Sequence, residues 1–191
     1  AVSTLHRSSN QRIIWYQGES NAHNMEVHER LFPLLVNSWR QNWNADLPFY
    51  YVQLSSIDRP SWTWFRDSQR RLAQTVSNTG MAVSAIAGFF KRSPYPKKEI
   101  GERLAHWALN KTYGHNVIPS GPLFRNATFT DNAAYITSIT QRLENFRWGP
   151  HPYIRDRRAG RTYYPAQAVV ENGKEGVERS SDSPKLVRYG W

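Results

Sequence analysis

The sequence predicts an α/β fold: alternating strands and helices around a parallel sheet in residues 1–118, then a mainly β region in residues 119–191. Two observations predict it. Three short apolar runs, rich in β-branched and aromatic residues, alternate with segments of helical periodicity, the pattern of βαβ units. After about Val117 the texture changes to short β-prone pieces broken by Pro, Gly, Asn and Asp, such as "RNATFTDNAAYITSIT" and "RTYYPAQAVVENGKEGVE".

The elements follow in order. "RIIWYQ" reads as a short buried strand ended by Gly18. "MEVHERLFPLLVNSWRQNW" has helical spacing, with Leu31, Leu34, Leu35, Ser38 and Trp39 on one side and Arg30, Asn37, Arg40 and Gln41 on the other. Pro33 predicts that this helix starts or bends there, because proline lacks the N–H and clashes with the preceding turn. "LPFYYVQLSS" is a second buried strand that ends in polar residues. "WFRDSQRRLAQTVSNTG" reads as a helix marked by Phe65, Leu72 and Val76, with Asn78-Thr79-Gly80 as its stop. "MAVSAIAGF" is the third strand. "KKEIGERLAHWALNKTYG" is the clearest helix, with Ile100, Leu104, Trp107, Ala108 and Tyr113 on its apolar side and Gly114 after its end.

Composition narrows the function classes. A chain of 191 residues with 39% hydrophobic and 14% aromatic content can bury a real core. No run approaches the roughly 18 apolar residues of a membrane span, and the N-terminal "AVSTLHRSSN" has no apolar h-region. Zero cysteines excludes disulfide and thiolate chemistry. The net charge of +10 invites a nucleic-acid partner, but the basic residues are dispersed. Arg155, Arg157, Arg158 and Arg161 surround Asp156, Lys97 and Lys98 precede Glu99, and no recognition-helix or RNP pattern occurs. A solvated basic face is the expected reading, with no membrane or nucleic-acid partner. The eight tryptophans suit core packing or carbohydrate stacking.

The stretch from Ile13 to Ala22, "IIWYQGESNA", carries the chemistry. In an open parallel sheet, ligands bind beyond the carboxyl ends of the strands, and here a strand ends in amides, a carboxylate and a hydroxyl. Gly18 allows close backbone approach, Gln17 and Asn21 offer amide donors, and Glu19 offers a carboxylate. Donors fixed there could hold a developing oxyanion, worth roughly 3–4 kcal/mol each. The same residues also suit a plain βα turn in which Ser20 or Asn21 caps the next helix, and residue chemistry alone leaves both open.

The segments "WYQGESNA", "LFPLLVNSWRQNW", "LPFYYVQLS", "FRDSQRRLAQTVSNTGMAV", "KKEIGERLAHWALNKTYG", "SGPLF", "YYPAQAVV" and "VRYGW" resemble, in order, the sialate O-acetylesterase family of SGNH-type carbohydrate esterases. The resemblance runs from about Ile13 to Trp191. It implies a flavodoxin-like α/β/α portion with associated β structure, and removal of O-acetyl groups from sialic acid or related sugars through a serine acyl-enzyme. It further implies that Gln17 is an oxyanion donor, beside Gly18 and Glu19 of the same motif, and that Asn21, Arg66 and Gln69 lie at the substrate. No cofactor is implied; the substrate is an O-acetylated carbohydrate, and the location is secreted, periplasmic or lysosomal.

The chain departs from the family at the triad. The family's nucleophile lies in an upstream Gly-Gln-Ser-Asn motif that this sequence does not contain; Ser20 belongs to a different block. Ser93 stands at the position of the family's histidine and Lys91 at that of its aspartate, while Pro94 matches the family's proline. A serine hydroxyl does not accept a proton at neutral pH as imidazole does, and a lysine cannot accept the N–H of a base. Either an upstream segment or second chain supplies the nucleophile, or the chain is a catalytically silent carbohydrate-binding or scaffold relative. His23 reads as a loop residue, and His28, His106 and His115 as surface or packing residues. His151 precedes a proline but falls in the β region. No histidine pair has metal-ligand spacing with a third ligand nearby, so no metal is expected.

Overall fold

The computed structural model describes residues 12–55, 57, 59–84, 97–121, 123–130 and 133–138, and the backbone of 154–157, 163–165, 167–171, 174–178 and 186–189. The chain divides into two compact units, Ala1–Ser120 and Gly121–Trp191.

The first unit holds three parallel strands, β1 (Ile13–Trp15), β2 (Phe49–Gln53) and β3 (Thr79–Val83), in the order β1-β2-β3. Helix α1 (Met25–Trp43) joins the first pair, α2 (Trp62–Thr75) joins the second, and α3 (Lys97–Lys111) follows β3. β2 is central, and all five of its residues are buried. Its period-2 alternation distributes them: Phe49 and Tyr51 join Ile13, Phe32, Val36, Leu72 and Met81 on the α1/α2 face, while Tyr50 and Val52 join Ala82, Ile100, Leu104 and Trp107 on the α3 face. Each such side chain contributes roughly 1.5–3 kcal/mol relative to exposure. The result is helices on both faces of a parallel sheet, as expected from the alternation of strand and helix.

Three readings of the helices need correction. First, α1 runs unbroken through Pro33; it starts at Met25, where Asn24 Oδ1 accepts from Val27 N at 3.3 Å. Proline in a helix interior costs about 3 kcal/mol, and the core contacts of Phe32 and Val36 on either side hold the segment helical. Second, the phase of α1 is rotated: Leu31 and Leu34 are 52% and 62% exposed, and the buried face is His28, Phe32 and Val36 with Leu35, Trp39 and Trp43 beside them. Arg40, expected on the solvent side, reaches across the amino edge of the sheet to the carbonyls of Leu47, Ser77 and Asn78. Third, α2 stops at Thr75 and Gly80 lies within β3. A Cβ there would stand 2.5 Å from Trp107 Cδ2, so glycine is what lets the indole lie on the strand and donate to Met81 O at 3.0 Å. In α3, Ile100, Leu104, Trp107 and Ala108 are buried as expected, and Gly114 takes a positive φ of 70° past the helix end. Tyr113 lies beyond the helix, exposed, with the Arg12 guanidinium over its ring.

The second unit contains antiparallel strands. β4 (Phe124–Phe129), β5 (Ala133–Ser138), β8 (Gln167–Glu171) and β9 (Lys174–Glu178) form a four-stranded sheet of order β4-β5-β9-β8. β6 (Ile154–Arg157), β7 (Tyr163–Pro165) and β10 (Leu186–Tyr189) form a three-stranded one of order β10-β6-β7. Among the described residues no helix is long and apolar enough to cross a membrane.

Candidate active site

Because β1, β2 and β3 are parallel, their carboxyl ends share one edge, and the polar residues singled out in the sequence emerge there. Beyond β1 the chain turns at Gly18, whose φ of 150° suits glycine alone. There is also no room for a side chain: a Cβ would lie 2.8 Å from Phe65 Cε1 and 3.2 Å from Leu54 Cδ1. The turn closes on itself, with Asn21 N donating to Gly18 O and Asn24 N donating to Asn21 O, each at 2.9 Å. Ala22 packs into a small core with Leu54, Trp62 and Phe65, pinning the loop to α2. Within this frame Gln17 Nε2 donates to Asn21 Oδ1. That bond takes one of the two amide protons of Gln17 and orients the other. Gln17 and Asn21 are half-buried, whereas Glu19, Ser20 and His23 are exposed.

The end of β2 is built differently. Gln69, 2% exposed, accepts from Leu54 N at 2.9 Å and donates to Val52 O at 3.4 Å. Arg66 Nε donates to Leu54 O at 2.9 Å, and Arg66 O accepts from Gln53 Nε2 at 2.9 Å. Trp62 Nε1 donates to Ser55 O, and Ser84, just past β3, donates to Gln53 O at 2.6 Å. These bonds satisfy backbone groups that continue past the last strand pairing, which are costly to leave bare in a buried place. The structure thus brings Arg66 and Gln69 to the expected edge, and both are engaged with the strand's backbone. Trp62, Gln53 and Ser84 belong to the same construction and were not singled out in the sequence. Only the polar "QLSS" after an apolar run, and the Ser after "MAV", could have pointed to them.

His28 lies under this edge, one turn into α1. Its ring centroid is 4.4 Å from that of Phe65 and 5.6 Å from that of Phe32, and its Nδ1 is buried without a hydrogen-bond partner. Burial lowers its pKa below the ordinary 6.5, opposed in part by the neighbouring carboxylate of Glu29. Ser93, Lys91 and Pro94 lie outside the described residues. Among the described residues no group of three His, Cys, Asp or Glu side chains could hold a metal ion.

Similarity to known proteins identifies the family. The model of carbohydrate esterases described as sialic acid-specific acetylesterases matches residues 2–110. The chain belongs to this family. The matched region contains the whole of the edge described above. The sialate O-acetylesterase of Mus musculus is 29% identical over a 147-residue alignment, and the match covers 64% of this chain and 27% of the mouse protein. The crystal structure of a carbohydrate acetylesterase from Xanthomonas citri superposes with a TM-score of 0.82 and 27% identity, covering 98% of this chain and 46% of that one. This family member therefore has the SGNH-like α/β fold of a carbohydrate acetylesterase, and it spans less than half of the length of both relatives.

Proposed function

We propose that the chain forms one wall of a sialate-type O-acetylesterase site, in which Gln17 donates its second amide proton to the oxyanion of the reacting acetyl ester. Residues 1–118 contribute the esterase portion, and residues 119–191 form the accompanying β-rich part. The attacking serine comes from an upstream segment or a second chain, and a base takes its proton. The serine Oγ bonds to the acetyl carbon while its proton passes to the base. Collapse then breaks the bond to the sugar oxygen, which leaves with that proton as a free hydroxyl. Water repeats the sequence on the acyl-serine and releases acetate. In each tetrahedral intermediate the negative charge sits on the former carbonyl oxygen, where a prepositioned N–H is worth most.

The observation that carries this reading is the Gln17–Asn21 pair, held at the carboxyl end of β1 by a turn whose glycine tolerates no Cβ. Glu19 is exposed beside it and is proposed to face the substrate's polar groups. Asn21 orients Gln17, while Arg66 and Gln69 act as positioning residues for the β2 end. A second reading is favoured by Ser93 and Lys91 standing where the family has its base and orienting acid: a sugar-binding relative without turnover. Acetate release from an O-acetylated sialoside by the complete protein, with covalent labelling by a serine-directed phosphonate, decides between them. Turnover with labelling supports the esterase, and saturable sugar binding without either supports the silent relative.

A further inference from the structure

The six described tryptophans separate sharply by environment. Trp62 and Trp107 are buried, and Trp15, Trp39 and Trp43 pack against the α1/α2 face of the sheet. Trp64 alone among them is exposed, at 50%. A half-exposed large apolar side chain is ordinary on a surface, so its position has to decide whether it means anything.

That position is the carboxyl edge of the sheet, which carries the proposed site. α2 begins at Trp62, after the segment that leaves the carboxyl end of β2, so Trp64 stands in the first turn of the helix at the same edge as Gln17. Helical geometry fixes which flank it occupies. Arg71, seven residues on and nearly in line with it, pairs with Glu29 of α1 and reaches Met25 Sδ at 3.9 Å. Trp64 lies about two turns, or roughly 10 Å, nearer the carboxyl edge along that flank. The chain at that level, just ahead of Met25, is the loop of residues 17–24, which carries Gln17 and Asn21. The next residue, Phe65, is the ring that abuts Gly18 of that loop.

The turn bearing Trp64 is also rigid. Trp62 is 1% exposed and bonded to Ser55 O, and Arg66 is bonded to Leu54 O, so residues on either side of Trp64 are fastened to the chain just past β2. Two further large apolar side chains, Tyr16 and Ile57, are exposed at the same edge, after β1 and β2 respectively. A pre-fixed aromatic face beside convergent polar groups is the usual composition of a small-ligand site.

We infer that Trp64 is a stacking platform for a sugar ring, binding the apolar C–H face of the acetylated pyranose while its ester is presented to Gln17. This rests on the esterase reading for the position of the ester and gives that site its specificity for carbohydrate over simple esters. An indole offers a large rigid face at little entropic cost, and stacking contributes a factor of about five to ten in affinity.

The test compares Trp64→Ala and Trp64→Phe in the complete protein on two substrates, an O-acetylated sialoside and ethyl acetate, which has no ring to stack. Trp64→Ala is expected to raise KM for the sialoside about tenfold and to lower the sialoside-to-ethyl-acetate ratio of kcat/KM by the same factor. Trp64→Phe is expected to restore most of both. An unchanged ratio, whether both activities hold or both fall together, overturns the platform and leaves the esterase reading standing. If the protein releases no acetate, sialoside binding followed by saturation-transfer NMR is the readout. Binding weakened by Trp64→Ala then supports the platform while the esterase reading fails. Binding that is absent or indifferent to the substitution overturns the platform.

Discussion

Two amide side chains, Gln17 and Gln69, stand at the same edge of one sheet and are used in opposite ways. Gln69 is fully enclosed, and both ends of its amide are taken by the backbone of Leu54 and Val52. Gln17 is half-buried, and its amide nitrogen is tied to Asn21 by one bond, with a second proton still to place. The difference teaches that a polar residue after a buried strand can either complete that strand or be held out by it. Only the second arrangement leaves a donor for a reacting group. The glycine at 18 separates the two cases, since it lets the β1 end turn sharply over Phe65 instead of needing a clamp.

Substitutions sharpen that contrast, from the largest effect on stability to the smallest. Gly18→Val should cost about 3 kcal/mol, combining an unfavourable φ with a Cβ driven into Phe65. Urea unfolding followed by tryptophan fluorescence would measure it, and a loss below 1 kcal/mol would mean the turn can relax. Gln69→Leu leaves the buried Leu54 N–H without its partner and should cost about 2 kcal/mol in the same assay. A neutral result there would remove the distinction between the two glutamines. Gln17→Ala should change stability by no more than about 0.5 kcal/mol, as expected for a side chain outside the packed core.

His28 gives a pH signature. Its folded-state pKa lies below the ordinary 6.5, so the unfolded chain takes up the proton first as pH falls. Stability should therefore decline as pH drops through 6.5 and level off once the folded-state pKa is passed. Phe32 and Phe65 offer the imidazolium no acceptor, and Glu29, which would favour it, is already paired with Arg71. Unfolding at pH 7.5 and pH 5.5 should show this decline in the native sequence and a smaller one in His28→Phe. An equal decline in both would assign the dependence to other groups.

Much of this was legible in the sequence, for identifiable reasons. The three strands and α3 were readable because β2 is apolar from Phe49 to Val52 and Ile100, Leu104, Trp107 and Ala108 keep one helical face. The phase of α1 was not, because Leu31 and Leu34 supply an equally regular stripe that stays exposed while Phe32 and Val36 point inward. Hydrophobic identity gives the period of a helix, but neighbouring elements choose which stripe is buried. Gly80 read as a stop because its sequence neighbours are turn-formers; the indole that requires it comes from Trp107, far along the chain. At the site, Gln17 and Asn21 were recognisable as amides after a strand. The engagement of Arg66 and Gln69 was hidden, because a sequence displays a donor without displaying the backbone group it will meet.

The central claim is that Gln17 serves the reaction and not the fold. It is tested most directly by kcat for acetate release from an O-acetylated sialoside, measured for the complete protein and its Gln17→Ala variant alongside their urea midpoints. A fall in kcat of about 100- to 1,000-fold at an unchanged midpoint is the predicted result. An unchanged kcat, or a fall matched by loss of the folded state, would contradict it.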